Sequence, residues 1–288
     1  MIVVTGANGR LGRLVAKALH VMGASAGVVL GSRNPDQIGD LAELGFRTMR
    51  LDFADTEGMV SAFSGAGTVL MISTPGPIEQ RMPLHRNAIA AARRAEVGHL
   101  VYTSRVNPVA ESLYPFAPIH VFTEAEIVRS GLPATIVRNS EYVQNITWLI
   151  KAAALSGELI LPGESGRVAY TDITDIAEIL ATIVTGGDHA RKIYEINGPD
   201  ALTRIEIAAL IARAAGRRVE AFPITRDEYG AFMTQNGRPP FVVEMLKGFY
   251  EAIDAGEFAR VWADAEQLLG RRPKSIKSNI EETLVNLT

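Results

Sequence analysis

Gly6, Gly9 and Gly12 stand at intervals of three in VVTGANGRLG, close to the start of the chain. Glycines do no bond chemistry; they supply bare backbone. A glycine turn bends tightly and lets peptide N–H groups approach a phosphate, and a helix that begins inside the turn adds unpaired N–H groups and a partial positive charge. The spacing is G-x-x-G-x-x-G rather than G-x-G-x-x-G, so the triplet alone also describes an ordinary glycine-rich turn. Its flanks decide the reading. The apolar run Ile2 to Thr5 reads as a strand, and Leu11, Leu14, Val15, Ala18 and Leu19 recur at helical spacing. Strand, glycine turn and amphipathic helix in that order form the context of a dinucleotide-binding fingerprint.

Arg33, in SRNPD, comes about 20 residues after the glycines, where an acid takes the ribose hydroxyl of NADH and an arginine accommodates the 2′-phosphate of NADPH. Asp36 follows Asn34 and Pro35 and is explained by helix-start chemistry. NADPH is therefore the expected cofactor, ahead of NADH, although a lone arginine at a strand end is also an ordinary solvated charge. Asp52 and Phe53 close another apolar run, as borders of an adenine or, equally, as a turn residue and a core ring. Ser73 and Thr74 close a further run in ISTPG, Thr103 lies in YTS, and Asn139 and Tyr142 lie in RNSEY.

His120 has the side chain suited to proton transfer near neutral pH. A helix-start histidine bonded locally accounts for it as well. Glu124 and Glu126 read as a solvated face, and the scattered His20, His85, His99 and His189 give no metal site. Trp148, Phe241, Phe249, Tyr250 and Trp262 could line a pocket for a planar molecule or be plain core, and Arg238 to Pro240 reads as a rigid loop or lid.

Such residues need a frame. Strands are expected at Ile2 to Thr5, Ala26 to Gly31, Phe46 to Leu51, Val69 to Ile72, Leu100 to Thr103 and Ala134 to Val137, several apolar on both sides as in a covered parallel sheet. Helices are expected from about Asn34, at Pro83 to Ala95, Ile119 to Ser130 and Tyr142 to Leu155. This alternation predicts an α/β, doubly wound parallel sheet over residues 1–155. Residues 156–288 are expected to form a smaller, mainly helical substrate lobe, with segments around 170–200 returning to the sheet. There GELILPGESGRVAYTD reads as short strand and turn, Thr174 to Val184 as a helix and KIYEIN as an added strand, and helices follow at Thr203 to Ala215, Asp227 to Thr234, Phe241 to Ala255 and Ser275 to Leu287.

The chain has 288 residues, 47% of them hydrophobic, with a net charge of −3, so an ample core is expected and a nucleic-acid partner is not. The absence of cysteine removes disulfides and thiolate chemistry. With no signal-like start and no long apolar run, a cytoplasmic protein without a membrane partner is expected. A homodimer is compatible with the sequence.

TGANGRLG, SRNPD, LDFAD, ISTPG, HRNAIAAARRAEV with HLVYTS, HVFTEAEIVRSGLPATIVRNSEYVQN and YEINGPDALT form an ordered series that resembles the atypical short-chain dehydrogenases of the NmrA-like group. Within it the chain is most similar to NADPH-dependent quinone oxidoreductases of type 2 and to triphenylmethane-dye and azo-dye reductases. The resemblance implies a Rossmann domain bearing NADPH. It implies Gly6, Asn8, Gly9, Arg10 and Leu11 in the phosphate loop, Arg33 at the 2′-phosphate, and Asp52 and Phe53 at the adenine. Ser73, Thr74 and Thr103 would then approach the nicotinamide, Asn139 and Tyr142 would border the active cleft, and His120 matches the group's histidine.

One departure bears on mechanism. None of the seven tyrosines has a lysine four positions on, so the Tyr-x-x-x-Lys proton donor of alcohol–ketone chemistry is missing. Reduction of a quinone or dye needs it less, because hydride transfer is the cofactor's own chemistry, and water or Tyr142 can provide a proton. The expected function is an NADPH-dependent reductase of a planar conjugated acceptor: a quinone, azo dye or triarylmethane dye. The rival is a redox sensor that binds NADP without turnover; an isomerase is weakened by the same missing pair.

Overall fold

The computed structural model describes residues 1–163 and 165–285. In chain order it contains β1 (Ile2–Val4), α1 (Arg10–Val21), β2 (Val28–Ser32), α2 (Gly39–Ala42), β3 (Arg47–Arg50), α3 (Thr56–Phe63), β4 (Thr68–Met71), α4 (Ile78–Arg94), β5 (His99–Arg105), α5 (Ala117–Ser130) and β6 (Ala134–Asn139). Then follow α6 (Thr147–Ser156), β7 (Glu158–Pro162), α7 (Ile173–Thr185), β8 (Ile193–Ile196), α8 (Arg204–Ala215), β9 (Glu220–Ile224), α9 (Arg226–Gln235), α10 (Pro240–Asp254), α11 (Asp264–Leu269) and α12 (Ile276–Val285). The end expected for the last helix, at Leu287, lies outside the described residues, as does Glu164 of the strand-and-turn segment.

The chain divides into two compact units. The first holds Met1–Arg105, Pro118–Asn139 and Ile173–Glu195. Its sheet runs β3-β2-β1-β4-β5-β6-β8, and the β1–β2, β2–β3, β1–β4, β4–β5 and β5–β6 pairs are all parallel. Strand order reverses direction between β1 and β4, which makes this a doubly wound, Rossmann-type sheet with its topological switch at that crevice. β2 is buried at every position, as a strand covered on both faces must be. α1 lays Leu11, Val15, Ala16 and Leu19 inward, and α3 packs on α4 over a core that includes Phe63, Met59, Ile89 and Tyr102.

The second unit holds Val106–Ala117, Ser140–Asp172 and Ile196–Thr288. β7 and β9 pair in parallel, and the helices pack around a core with Tyr114, Ile150, Phe249 and Phe258. α8 and α9 each begin with a capping box, Thr203 with Glu206 and Thr225 with Glu228.

Several boundaries differ from the sequence expectation. The first unit ends its main run at Asn139 rather than at 155, and Val106–Ala117 belongs to the second unit. α4 begins at Ile78, before Pro83, which sits inside the helix. Proline at the first helical position is favoured but not obligatory, and here the chain accepts one missing bond. The helix expected over Tyr142 to Leu155 is a short 3-10 turn, Val143–Asn145, followed by α6. Asn34 makes no side-chain cap; the Ser32 hydroxyl instead bonds the Asn34 backbone, accepting from its N–H at 3.1 Å and donating to its carbonyl at 3.2 Å.

Candidate functional site

The site is built where β1, β2, β3 and β4 end together. Beyond β1 the chain turns at Gly6, whose φ of +63° lies in the left-handed region, and the Gly9 N–H closes the turn on the Gly6 carbonyl at 2.9 Å. A Cβ at Gly12 would run into the Gly6 carbonyl oxygen and the Ala7 Cα, so only glycine lets α1 start this close beneath the loop. Gly9 is the N-cap of α1 and, lacking a side chain, leaves the first-turn amides without a side-chain cap.

These turns open on a groove of about 370 Å³ lined by Gly6, Asn8, Gly9, Ser32, Arg33, Asn34, Gln37, Leu51, Asp52, Phe53, Ile72, Ser73, Thr74, Pro75 and Leu84. The residues come from the carboxyl ends of four neighbouring strands at the switch point, the place where open α/β sheets bind ligands. Arg33 is exposed at the rim. Asn8 donates to the Gln37 side-chain oxygen at 2.7 Å, and Arg13 ties the same walls by bonding Asn8 Oδ1 at 3.2 Å and Asp40 at 2.8 Å. Asp52 accepts from the Ala54 N–H at 3.0 Å and Phe53 is a core ring, so both combine turn or core duty with a place on the groove wall.

The groove thus unites Gly6, Asn8, Gly9, Arg33, Asp52, Phe53, Ser73 and Thr74 among the expected residues. Others lie off its lining. Arg10 is exposed at the first position of α1, and Leu11 and Gly12 are buried behind it. Thr103 is buried, its hydroxyl accepting the Ser73 N–H at 2.9 Å. Asn139 is buried at the end of β6. Tyr142 belongs to the second unit, half-buried, its backbone bridged to Thr171.

His120 departs most from expectation. Its Nδ1 meets the Tyr102 hydroxyl at 2.9 Å, a partner distant in sequence, and it is not bonded locally as a helix-start residue. Burial, then the Arg81, Arg105 and His85 charges, holds its pKa well below the ordinary value, and Tyr102 is pushed up to about 12, mainly by burial. Sequence reasoning missed Arg81 and His85 of α4, both buried beneath Ser73 and Thr74. Their four-residue spacing on one helix face was the available signal.

Within the second unit a larger cleft, about 1050 Å³, is lined by Arg226, Asp227, Glu228, Glu244, Lys247, Glu251 and Asp254 among others. It is the bigger cavity, yet its charges pair with one another at the surface, as Lys247 does with Asp227 at 2.8 Å, so the convergence of strand ends is the better guide. Of the five aromatic residues, Phe249 and Tyr250 are core rings and Trp262 packs against the same core, as the plain-core alternative has it, while Trp148 and Phe241 are exposed. Arg238 to Pro240 is the exposed turn into α10, with Pro240 at its first position. Among the described residues no helix is long and apolar enough to cross a membrane, and no cluster of histidines and acids could hold a metal ion.

A glycine loop under a helix start, at the switch point of a doubly wound sheet, defines a protein of the dinucleotide-binding Rossmann class. The chain belongs to the NmrA-like family, whose model matches residues 1–253. It is 31% identical to quinone oxidoreductase 2 of Escherichia coli K12 over 246 residues, 85% of each chain. The crystal structure of that NADPH-dependent enzyme with NADPH superposes with a TM-score of 0.93, covering 98% of this chain and 99% of the other at 28% identity. The chain is 25% identical to the NAD(P)H azoreductase of Xenophilus azovorans, over 94% of this chain and 93% of the relative. Triphenylmethane reductase of Citrobacter sp., crystallised with NADP(H), has a TM-score of 0.93 at 29% identity and covers 99% of this chain and 100% of its own.

Proposed function

We propose that this protein is an NADPH-dependent reductase that delivers hydride to a planar conjugated acceptor: a quinone, an azo dye or a triarylmethane dye. The observation that carries the reading is the groove at the β1–β4 switch point, with its glycine floor and Arg33 on its rim. The residues fit the cofactor. Gly12 lets α1 begin directly beneath the turn, where a Cβ would strike the Gly6 carbonyl, and the uncapped start of α1 presents N–H groups and a positive dipole end to a pyrophosphate. Arg33 pairs with the 2′-phosphate, and Asp52 and Phe53 border the adenine, while Ser73 and Thr74 carry the nicotinamide end. Bound NADPH supplies the hydride; the chain binds, orients and excludes water.

Asn139 and Tyr142 are assigned to the acceptor's side, Tyr142 as the hydroxyl that donates a proton or a hydrogen bond to a reduced oxygen or nitrogen. His120 is assigned to the buried network under the groove, because it is buried and its Nδ1 is committed to Tyr102. The cytoplasm is the proposed location, and a homodimer the proposed assembly. An isotope experiment tests the reading. Hydride addition to the central carbon of a triarylmethane dye leaves a C–H bond that does not exchange, so NADPH deuterated at the transferable position should yield a leuco dye heavier by one mass unit. Leuco dye formed without the label would contradict direct hydride delivery.

A further inference from the structure

Past Met71 the backbone leaves the sheet ladder, and three successive amides are taken by side chains from the end of β1, from β5 and from α4. Ile72 N–H donates to Thr5 Oγ1 at 3.0 Å, Ser73 N–H to Thr103 Oγ1 at 2.9 Å, and Thr74 N–H to His85 Nε2 at 3.2 Å. Thr5 and His85 have no exposed surface, and Thr103 very little. Amides drawn out of the ladder and partly shielded from water need such partners, since an unmade hydrogen bond there is costly. This scaffold fixes a stretch of groove wall that α4 also grips through Arg81, which donates to Ser73 Oγ at 2.7 Å.

The chemistry of the partners determines the state of His85. A backbone N–H can only donate, so Nε2 must offer its lone pair, and the ring proton must sit on Nδ1. There it donates to Thr123 Oγ1 at 2.8 Å, and the Thr123 hydroxyl donates in turn to the Ile119 carbonyl at 2.7 Å. Every donor in the series has an acceptor. The Thr74 hydroxyl, 3.1 Å from Nε2, shares the same lone pair. The ring cannot turn easily, because Phe53 and Tyr102 pack edge-on against it at 6.4 Å and 5.8 Å between centroids. Burial, with the Arg81 charge beside it, pushes its pKa down to about 3, so the ring is neutral at working pH.

We propose that His85 is a positioning residue: as the Nδ1–H tautomer it holds the amide and hydroxyl of Thr74, and so sets where the nicotinamide end of the cofactor lies. This rests on the NADPH reading of the groove. His85 touches no cofactor atom in this account; it acts through Thr74. The adenosine end, held chiefly by the glycine loop and Arg33 on other strands, meets His85 only through the edge of the Phe53 ring, a contact that a side chain of similar bulk keeps.

Calorimetric titration of NADPH and of adenosine 2′,5′-bisphosphate, which lacks the nicotinamide, separates the two ends. His85→Leu, which keeps bulk and removes the acceptor, should weaken NADPH binding about tenfold and leave the bisphosphate within about twofold. His85→Gln, whose side-chain oxygen reaches the place of Nε2, should recover most of the loss. Equal weakening of both ligands, or of neither, would overturn the positioning role. Wild-type protein that binds neither would overturn the cofactor reading itself, a distinct failure. If the leucine variant does not fold, 15N NMR of the wild-type imidazole decides: a protonated Nδ1 with a bare Nε2 that responds to NADPH and not to the bisphosphate is expected. A protonated Nε2, or no response, would overturn it.

Discussion

Arg33 is the residue on which the choice between the two nicotinamide cofactors turns. Its guanidinium stands at the groove rim, exposed, and a 2′-phosphate offers it a charge-assisted pair that NADH cannot. Arg33→Ala should weaken NADPH binding by roughly tenfold to a hundredfold and leave NADH unchanged, as read by parallel titrations. Equal losses would remove Arg33 from this role. Gly12 is testable in the same way: Gly12→Ala puts a methyl group against the Gly6 carbonyl and the Ala7 backbone, neither of which is a flexible side chain. The expected cost is about 1–3 kcal/mol in denaturant unfolding, together with weakened NADPH binding as the turn shifts. Both residues were legible in the sequence because their neighbours announce their context. His85 was not, because HRNAIAAARR reads as one face of a helix, and its partners Thr74 and Thr123 meet it only once β4, α4 and α5 are packed.

At the scale of elements, β5, β6 and α5 are tied by charge as well as by the ladder. Arg138 on β6 reaches Glu124 of α5 at 2.6 Å and Glu195 of β8 at 2.8 Å, and Ser104 of β5 donates to Glu124 at 2.6 Å. Burial alone would lower the Arg138 pKa, but bonds to the two carboxylates hold it above the ordinary arginine value. Arg138→Ala leaves two carboxylates mostly out of water without their cation and should cost about 3 kcal/mol in a urea titration, whereas breaking an exposed pair such as Arg94–Glu57 should leave the unfolding midpoint nearly unchanged. A loss no greater than that of the exposed pair would show the network to be solvated. The apolar strands of the sheet were legible because burial on both faces demands continuous apolar runs. β9 was not: EAFPI is short, contains Pro223 and leaves Phe222 exposed, so it has neither the pattern nor the length of a covered strand. The start of α4 was misplaced for a related reason, since Pro83 carries a start signal that the Pro77–Ile78 junction overrides.

For the whole molecule, burial of neutral histidines dictates an acid limit. His85 falls from 6.5 to about 3, and His99 and His120 are also lowered, each chiefly by burial. The unfolded chain takes up protons near 6.5 while the folded chain does not, so stability is full above that value and declines as pH falls toward 3. Each such group contributes a slope of up to about 1.4 kcal/mol per pH unit across its window. Unfolding midpoints measured from pH 7.5 to pH 4.5 should fall steadily below about 6.5, and His85→Gln should flatten that slope. A midpoint independent of pH would contradict the buried neutral state. Function at this scale rests on one claim, that the groove holds NADPH for delivery to a planar acceptor. The direct measurement is NADPH oxidation, followed by absorbance, with a panel of quinones, azo dyes and triarylmethane dyes and with NADH run in parallel. Acceptor-dependent oxidation that favours NADPH is the expected result; tight NADPH binding with no turnover on any acceptor would contradict the reductase and point to a redox sensor.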